Sequence, residues 1–192
     1  MQMNRDSQRQ FIAAKAMDDV KNGTFENLSI RQFCAEAGIT TGAFYRCFPS
    51  KEALFRHCYA ILLEETIGAA DVLLHGLPLE EQLVRFVLLL LQLSAKTGER
   101  RVISNTDLPE TKAAFRKCHE LIAAKLLDIL RDAAQEGRFP PDDILTALDA
   151  FFIIFRGIYF TSGTFNTVWA PAYEEAVLRR LIRGLLPPQP VS

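Results

Sequence analysis

Between residues 41 and 46 the chain places groups suited to a nucleic-acid surface: the Thr41 hydroxyl and methyl, the bare backbone of Gly42, the Tyr45 phenol and the Arg46 guanidinium. On a helix they fall on the side away from Phe44 and Phe48, which recur four residues apart as a buried face. The methyls of Thr41 and Ala43, in the first turn, can meet a thymine methyl, and the Thr41 hydroxyl a polar base edge. Gly42 costs about 1 kcal/mol of helix propensity relative to Ala, which implies close approach of a phosphate or base edge to its backbone. Tyr45 offers its phenol to a phosphate, and Arg46 its guanidinium to a phosphate or a guanine. Lys51, in the first turn of the next helix, adds a charge beside backbone N–H groups that already favour anions.

Two short helices and a tight turn are needed to position these groups. Ser29 is placed to cap a helix in which Ile30, Phe33 and Cys34 give one apolar face. Gly38 stands where a sharp turn needs positive φ, and Thr40 is placed to cap the second helix. A helix-turn-helix that buries Phe44 and Phe48 presents the Thr41, Gly42, Tyr45 and Arg46 face outward, as a major-groove reader must.

The run Ala37-Gly38-Ile39-Thr40-Thr41-Gly42-Ala43-Phe44-Tyr45-Arg46-Cys47-Phe48-Pro49-Ser50-Lys51 resembles the DNA-binding signature of TetR-type transcriptional regulators. The likeness extends upstream through Ser29–Cys34 and downstream through Phe55, and covers roughly residues 8–58. It differs from the family pattern at Cys47, where His is usual, at Cys34, where Ala is usual, and at Leu28, where Thr or Ser is common. The resemblance implies DNA binding through Ser29, Thr40, Thr41, Gly42, Ala43, Tyr45, Arg46 and Lys51. It also implies dimerisation through the last helices, and an effector held by the C-terminal part that shifts the separation of two DNA-reading heads. That mechanism requires the ligand to prefer one of two conformations.

A chain of 192 residues can bury a sizeable core, and 49% hydrophobic with 23% charged residues is an ordinary globular composition. The net charge of −1 carries no nucleic-acid signal for the whole molecule. Residues 1–58, however, hold eight Lys/Arg against six Asp/Glu, while the remainder holds fourteen against seventeen. Cys34, Cys47, Cys58 and Cys118 form no CxxC pair, and His57 beside Cys58 does not make a metal site; unpaired thiols favour a reducing cytoplasm. There is no visible signal peptide, and the longest apolar runs, Val87–Leu91 and Ala150–Phe155, are far short of a membrane span.

Helices are expected throughout, at about 6–22, in the DNA-reading unit, from Ser50 to Ala70, Pro78 to Thr97, 99–105, Pro109 to Gly137, Asp142 to Thr161 and Pro171 to Leu186. In the first, Phe11, Ala14, Met17 and Val20 face inward, or alternatively Ile12 and Ala16. Leu148–Phe160 contains only Asp149 and Arg156 as charged residues, so that helix must be buried on two sides. With the wide apolar stripe of the last helix it suits a four-helix interface between two copies, involving Leu148, Phe152, Tyr159, Val177, Leu181 and Leu185. Phe86, Leu90, Phe115, His119, Phe151, Phe155 and Tyr159 are candidates to line a pocket for an apolar effector, and the loop Ser162–Ala172, with Phe165 and Trp169, to cap it.

The expected architecture is therefore all-α. Residues 1–50 form a three-helix helix-turn-helix DNA-binding domain, 51–186 a helical bundle for ligand binding and dimerisation, and 187–192 a tail. The expected role is a cytoplasmic, homodimeric repressor released from a palindromic double-stranded operator by a small effector, with no cofactor, metal or membrane. An enzyme is disfavoured: no nucleophile sits beside a His base, no HExxH or Glu-x-x-His pair occurs and no phosphate loop is present. Glu64-Glu65 and Asp142-Asp143 read as solvated charges. The alternative is a helical ligand-carrier or interaction module that has lost specific DNA binding.

Overall fold

In a computed structural model, the described backbone covers residues 4–99, 109–164 and 171–186, with side chains except at 109–112, 114, 115, 159–164 and 171–174. Every regular element among them is helical: α1 (Arg5–Lys21), α2 (Ile30–Ala37), α3 (Thr41–Cys47), α4 (Lys51–Leu74), α5 (Leu79–Thr97), α6 (Pro109–Gln135), α7 (Ile144–Thr164) and α8 (Pro171–Leu185). Two 3-10 turns, Phe25–Asn27 and Pro141–Asp143, precede α2 and α7. The expected all-α fold is observed. The expected helix at 99–105, the loop residues Phe165 and Trp169 and the tail fall wholly or mainly outside the described residues. None of the described helices is long and apolar enough to cross a membrane.

The chain divides into two compact units, Met1–Glu65 with Gln92–His119, and Thr66–Leu91 with Glu120–Ser192. In the first, Ile12, Ala13, Ala16 and Val20 of α1 join Phe25, Phe33, Cys34, Phe44, Phe48, Leu54, Phe55 and Cys58 in one core. The inward face of α1 is thus the Ile12/Ala16 stripe. Ala14 is exposed, and Phe11 and Met17 are only half-buried. The other stripe fails because Ala14 is on the same turn as Lys15 and Asp18 and shares their wet side.

The core of the second unit is built from Leu83, Phe86 and Val87 of α5, Leu126 and Leu130 of α6, Phe151 and Ile158 of α7, and Leu178 and Ile182 of α8. Phe86 and Phe151 stack with centroids 6.2 Å apart. Ion pairs fasten α8 to the start of α5: Arg179 reaches Glu81 at 2.6 Å and Arg183 reaches Glu80 at 2.8 Å. Among the described side chains of α7, Phe151 and Ile158 are buried, whereas Leu145 and Ile153 on the opposite side remain 69% and 73% exposed.

Candidate DNA-binding surface

The α2–α3 pair is fixed by local chemistry at each end. Ser29 Oγ accepts the Gln32 N–H at 3.5 Å, capping α2. Gly38 ends α2 in the left-handed conformation, φ 68°, and the Ile39 N–H donates to the Cys34 carbonyl at 2.9 Å, a Schellman closure. Thr40 Oγ1 then accepts the Ala43 N–H at 3.1 Å and starts α3. Ser50 repeats the device for α4, accepting the Ala53 N–H at 3.1 Å. Ser29 and Thr40 thus both serve as helix caps.

The buried side of α3 is Ala43, Phe44 and Cys47, which share one face at helical spacing. Phe44 packs edge-on against Phe33 of α2, with centroids 6.2 Å apart. Thr41, Gly42, Tyr45 and Arg46 are exposed as expected. Tyr45 is 53% exposed, and its ring stands at 86° to Phe44, 5.2 Å between centroids, which holds the phenol away from the core. Gly42 has no internal packing reason to be glycine, since an added Cβ would come no closer than 4.0 Å to Thr40 Oγ1.

One sequence expectation is corrected, at Ala43, and a second residue, Lys51, has a partner within the chain. Ala43 is only 7% exposed, so its methyl packs inside the three-helix unit instead of standing ready for a thymine. Lys51 is half-buried, and its ammonium is engaged within the chain: it donates to the Glu26 carbonyl at 2.5 Å and lies 5.6 Å from the Phe25 ring centroid.

Arg9 is a positioning residue that sequence reasoning missed. From α1 it donates to the Cys47 carbonyl at 3.3 Å, at the C-terminal end of α3 where cations are favoured. Its guanidinium also lies over the Phe48 ring, 4.6 Å from the centroid. The signal was available, as a cation one turn before the Ile12/Ala13 face, but its partner lies 38 residues away. Cys47 is buried against the same helix, its thiol 3.7 Å from Gln8 Oε1 and 3.9 Å from the Arg5 carbonyl. His57 packs against the Phe48 ring at 5.5 Å; burial, then Arg9 and Lys117, push it below the usual imidazole range, with Glu64 opposing.

The remaining thiols are chemically quiet. Burial raises Cys34, pushes Cys58 up to about 12 and Cys118 to about 11, so all three stay protonated near neutrality. Among the described residues no group of three or more His, Cys, Asp or Glu is arranged to hold a metal ion.

Of the effector-site candidates, Phe86, Leu90 and Phe151 are fully packed in the core of the second unit and Phe155 is half-buried. His119 belongs to the first unit and is exposed, contrary to an interior lining role. The side chains of Phe115 and Tyr159 lie outside the described residues. Of the interface candidates Leu181 is 43% exposed, while Leu148, Phe152, Val177 and Leu185 are half-buried. Leu145 and Ile153, the most open apolar positions among the described side chains of α7, were not singled out by sequence, because a helix apolar all round has no pattern to mark its open side.

Residues 22–58 match the family model described as bacterial regulatory proteins, tetR family. No curated protein matches the chain. Solved structures resemble it over nearly its whole length. The transcriptional regulator FadR from Bacillus subtilis, in complex with stearoyl-CoA, aligns with a TM-score of 0.64 at 15% identity, over 92% of this chain and 97% of that one. A protein from Mesorhizobium loti described as a TetR-family transcriptional regulator aligns with 0.65 at 18% identity, over 96% and 97%. A transcriptional regulator from Saccharomonospora viridis in complex with choline aligns with 0.61 at 16% identity, over 93% and 95%. At these identities the likeness speaks for the fold.

Proposed function

We propose that this chain, whose residues 22–58 carry the helix-turn-helix of the tetR family, is a homodimeric DNA-binding transcriptional repressor released from a palindromic operator by a small effector. The observation that carries the reading is the α3 surface. Thr41, Gly42, Tyr45 and Arg46 are exposed on a helix whose other face is locked by Phe44 and Cys47, and Gly42 leaves room that none of the described residues uses. Thr41 reads a base edge, Tyr45 and Arg46 contact phosphate or guanine, and Lys51 adds a charge once its ammonium turns from Glu26.

A single α3 offers too few contacts for a specific site, which favours two copies on half-sites about 34 Å apart. The open apolar positions Leu145, Ile153 and Leu181 support pairing of copies through α7 and α8. The ligand is small and largely apolar. Proteins of similar fold were solved with stearoyl-CoA in one case and choline in another.

The test is footprinting on the DNA upstream of the chain's own gene across a salt series. A protected palindrome, with affinity falling linearly in log salt, supports the reading. Absence of any footprint, with retained binding of small apolar molecules, favours the ligand-carrier alternative.

A further inference from the structure

We infer that two copies of this chain pack α7 against α7 antiparallel, in the register that sets Asp149 of each copy opposite Arg156 of the other. This rests on the dimer reading above and adds the register and the position of the two-fold axis.

Leu145, Asp149, Ile153 and Arg156 are all exposed on α7. At 3.6 residues per turn they fall within an arc of about 80°, so they form one stripe. The stripe is apolar at Leu145 and Ile153 and carries one charge of each sign. Asp149 and Arg156 are seven residues apart, about 10 Å along the axis, too far to pair with each other. Neither has an ion-pair partner among the described residues.

A two-fold interface must be self-complementary: if one residue meets another across it, the reverse contact forms as well. An antiparallel helix pair with Asp149 opposite Arg156 satisfies this automatically and makes the ion pair twice. The same register puts the axis between Phe152 and Ile153, so Ile153, the most exposed apolar side chain among those described on α7, lands at the centre, between the two charge pairs. Each charge then lies about 5 Å from the axis along its helix, close enough for the pairs to stay in reach at the common helix-crossing angles. A shift by one turn would instead set uncharged, mostly apolar side chains against these ions, and a shift by two turns would set Asp149 against Asp149 or Arg156 against Arg156. An unrelated partner would have no reason to present both signs symmetrically about an apolar centre, which is why the second copy is the occupant.

The experiment is sedimentation and native mass measurement on wild type, Asp149→Arg, Arg156→Asp, and an equimolar mixture of the two variants. Wild type should be dimeric. Each variant alone places like charges together at two contacts and should dissociate at least tenfold more readily. In the mixture every contact is again between opposite charges, so a heterodimer as tight as wild type should form. Dimeric variants as tight as wild type, or a mixture that fails to recover, would overturn the register while leaving dimerisation intact. A wild-type chain that stays monomeric would overturn the dimer reading itself.

Discussion

The Lys51 ammonium donates to the backbone carbonyl of Glu26, 25 residues earlier, tying the first turn of α4 to the 3-10 turn that precedes α2. The same charge sits above Phe25, which is itself packed against Phe55 with centroids 5.4 Å apart. Lys51 therefore braces the frame in which α2 and α3 are held, whatever else it touches. Lys51→Met should lower stability by about 1 kcal/mol in urea unfolding. On operator DNA it should also reduce the salt slope by about one unit. A lowered stability with an unchanged slope would leave Lys51 the brace alone.

Gly42 allows stability and binding to be pulled apart. With no neighbour nearer than 4.0 Å to an added Cβ, Gly42→Ala should stabilise the fold, by up to about 1 kcal/mol of helix propensity. The added methyl occupies the outward face, so affinity for the operator should fall. A variant that is both more stable and equally tight would show that nothing approaches the backbone there.

Thr41 and Ala43 are two residues apart but should behave oppositely. Thr41 is exposed, and Thr41→Ala should leave folding unchanged while altering base preference by about 1–3 kcal/mol at the affected pair, read by competition with mutated operators. Ala43 is buried, and Ala43→Leu should cost about 1–3 kcal/mol through overpacking, seen as a lower denaturation midpoint.

Arg9 makes no claim on the sequence of the DNA. Removing its bond to the Cys47 carbonyl and its seat on Phe48 by Arg9→Met should loosen the end of α3. Operator affinity should fall uniformly across sequences, and amide exchange near residues 46–48 should quicken. A change in base preference would instead make Arg9 a reader.

The clasp between α5 and α8 should be sensitive to acid. Hydrogen bonds from Arg179 and then Arg85 hold the Glu81 carboxyl at about 2, against 4.5 for the free side chain. Its folded pKa is depressed, so its contribution is complete above pH 4.5 and is lost as the pH falls towards 2. Unfolding measured across that range should show stability dropping in wild type, with a shallower drop in Glu81→Gln. Because the pair is partly solvated, added salt should reduce the difference.

The features visible in sequence were those fixed by neighbours in the chain. Ser29, Gly38, Thr40, Phe44 and Phe48 act within a few residues of themselves, so the helix-turn-helix could be read almost completely. The register of α1 could not, because Phe11–Met17 and Ile12–Ala16 are both apolar stripes and the choice is made by packing against α3 and α4. The engagement of Lys51 was hidden because its acceptor is a backbone carbonyl, which has no sequence signature. Ala43 looked outward from its place in the first turn, yet it lies four residues before Cys47, and that spacing assigns it to the buried face.

A seven-residue helix is too short to hold itself in place, and α3 delegates the task to its back: Ala43, Phe44 and Cys47, the Thr40 cap and the Arg9 bond from α1. Thr41 and Arg46 carry none of that mechanical duty, and Tyr45 adds only its edge-on contact with Phe44. The molecule therefore behaves as a socket with an interchangeable face. Under the proposed function, its address on DNA can be rewritten at these exposed positions without reopening the question of whether it folds.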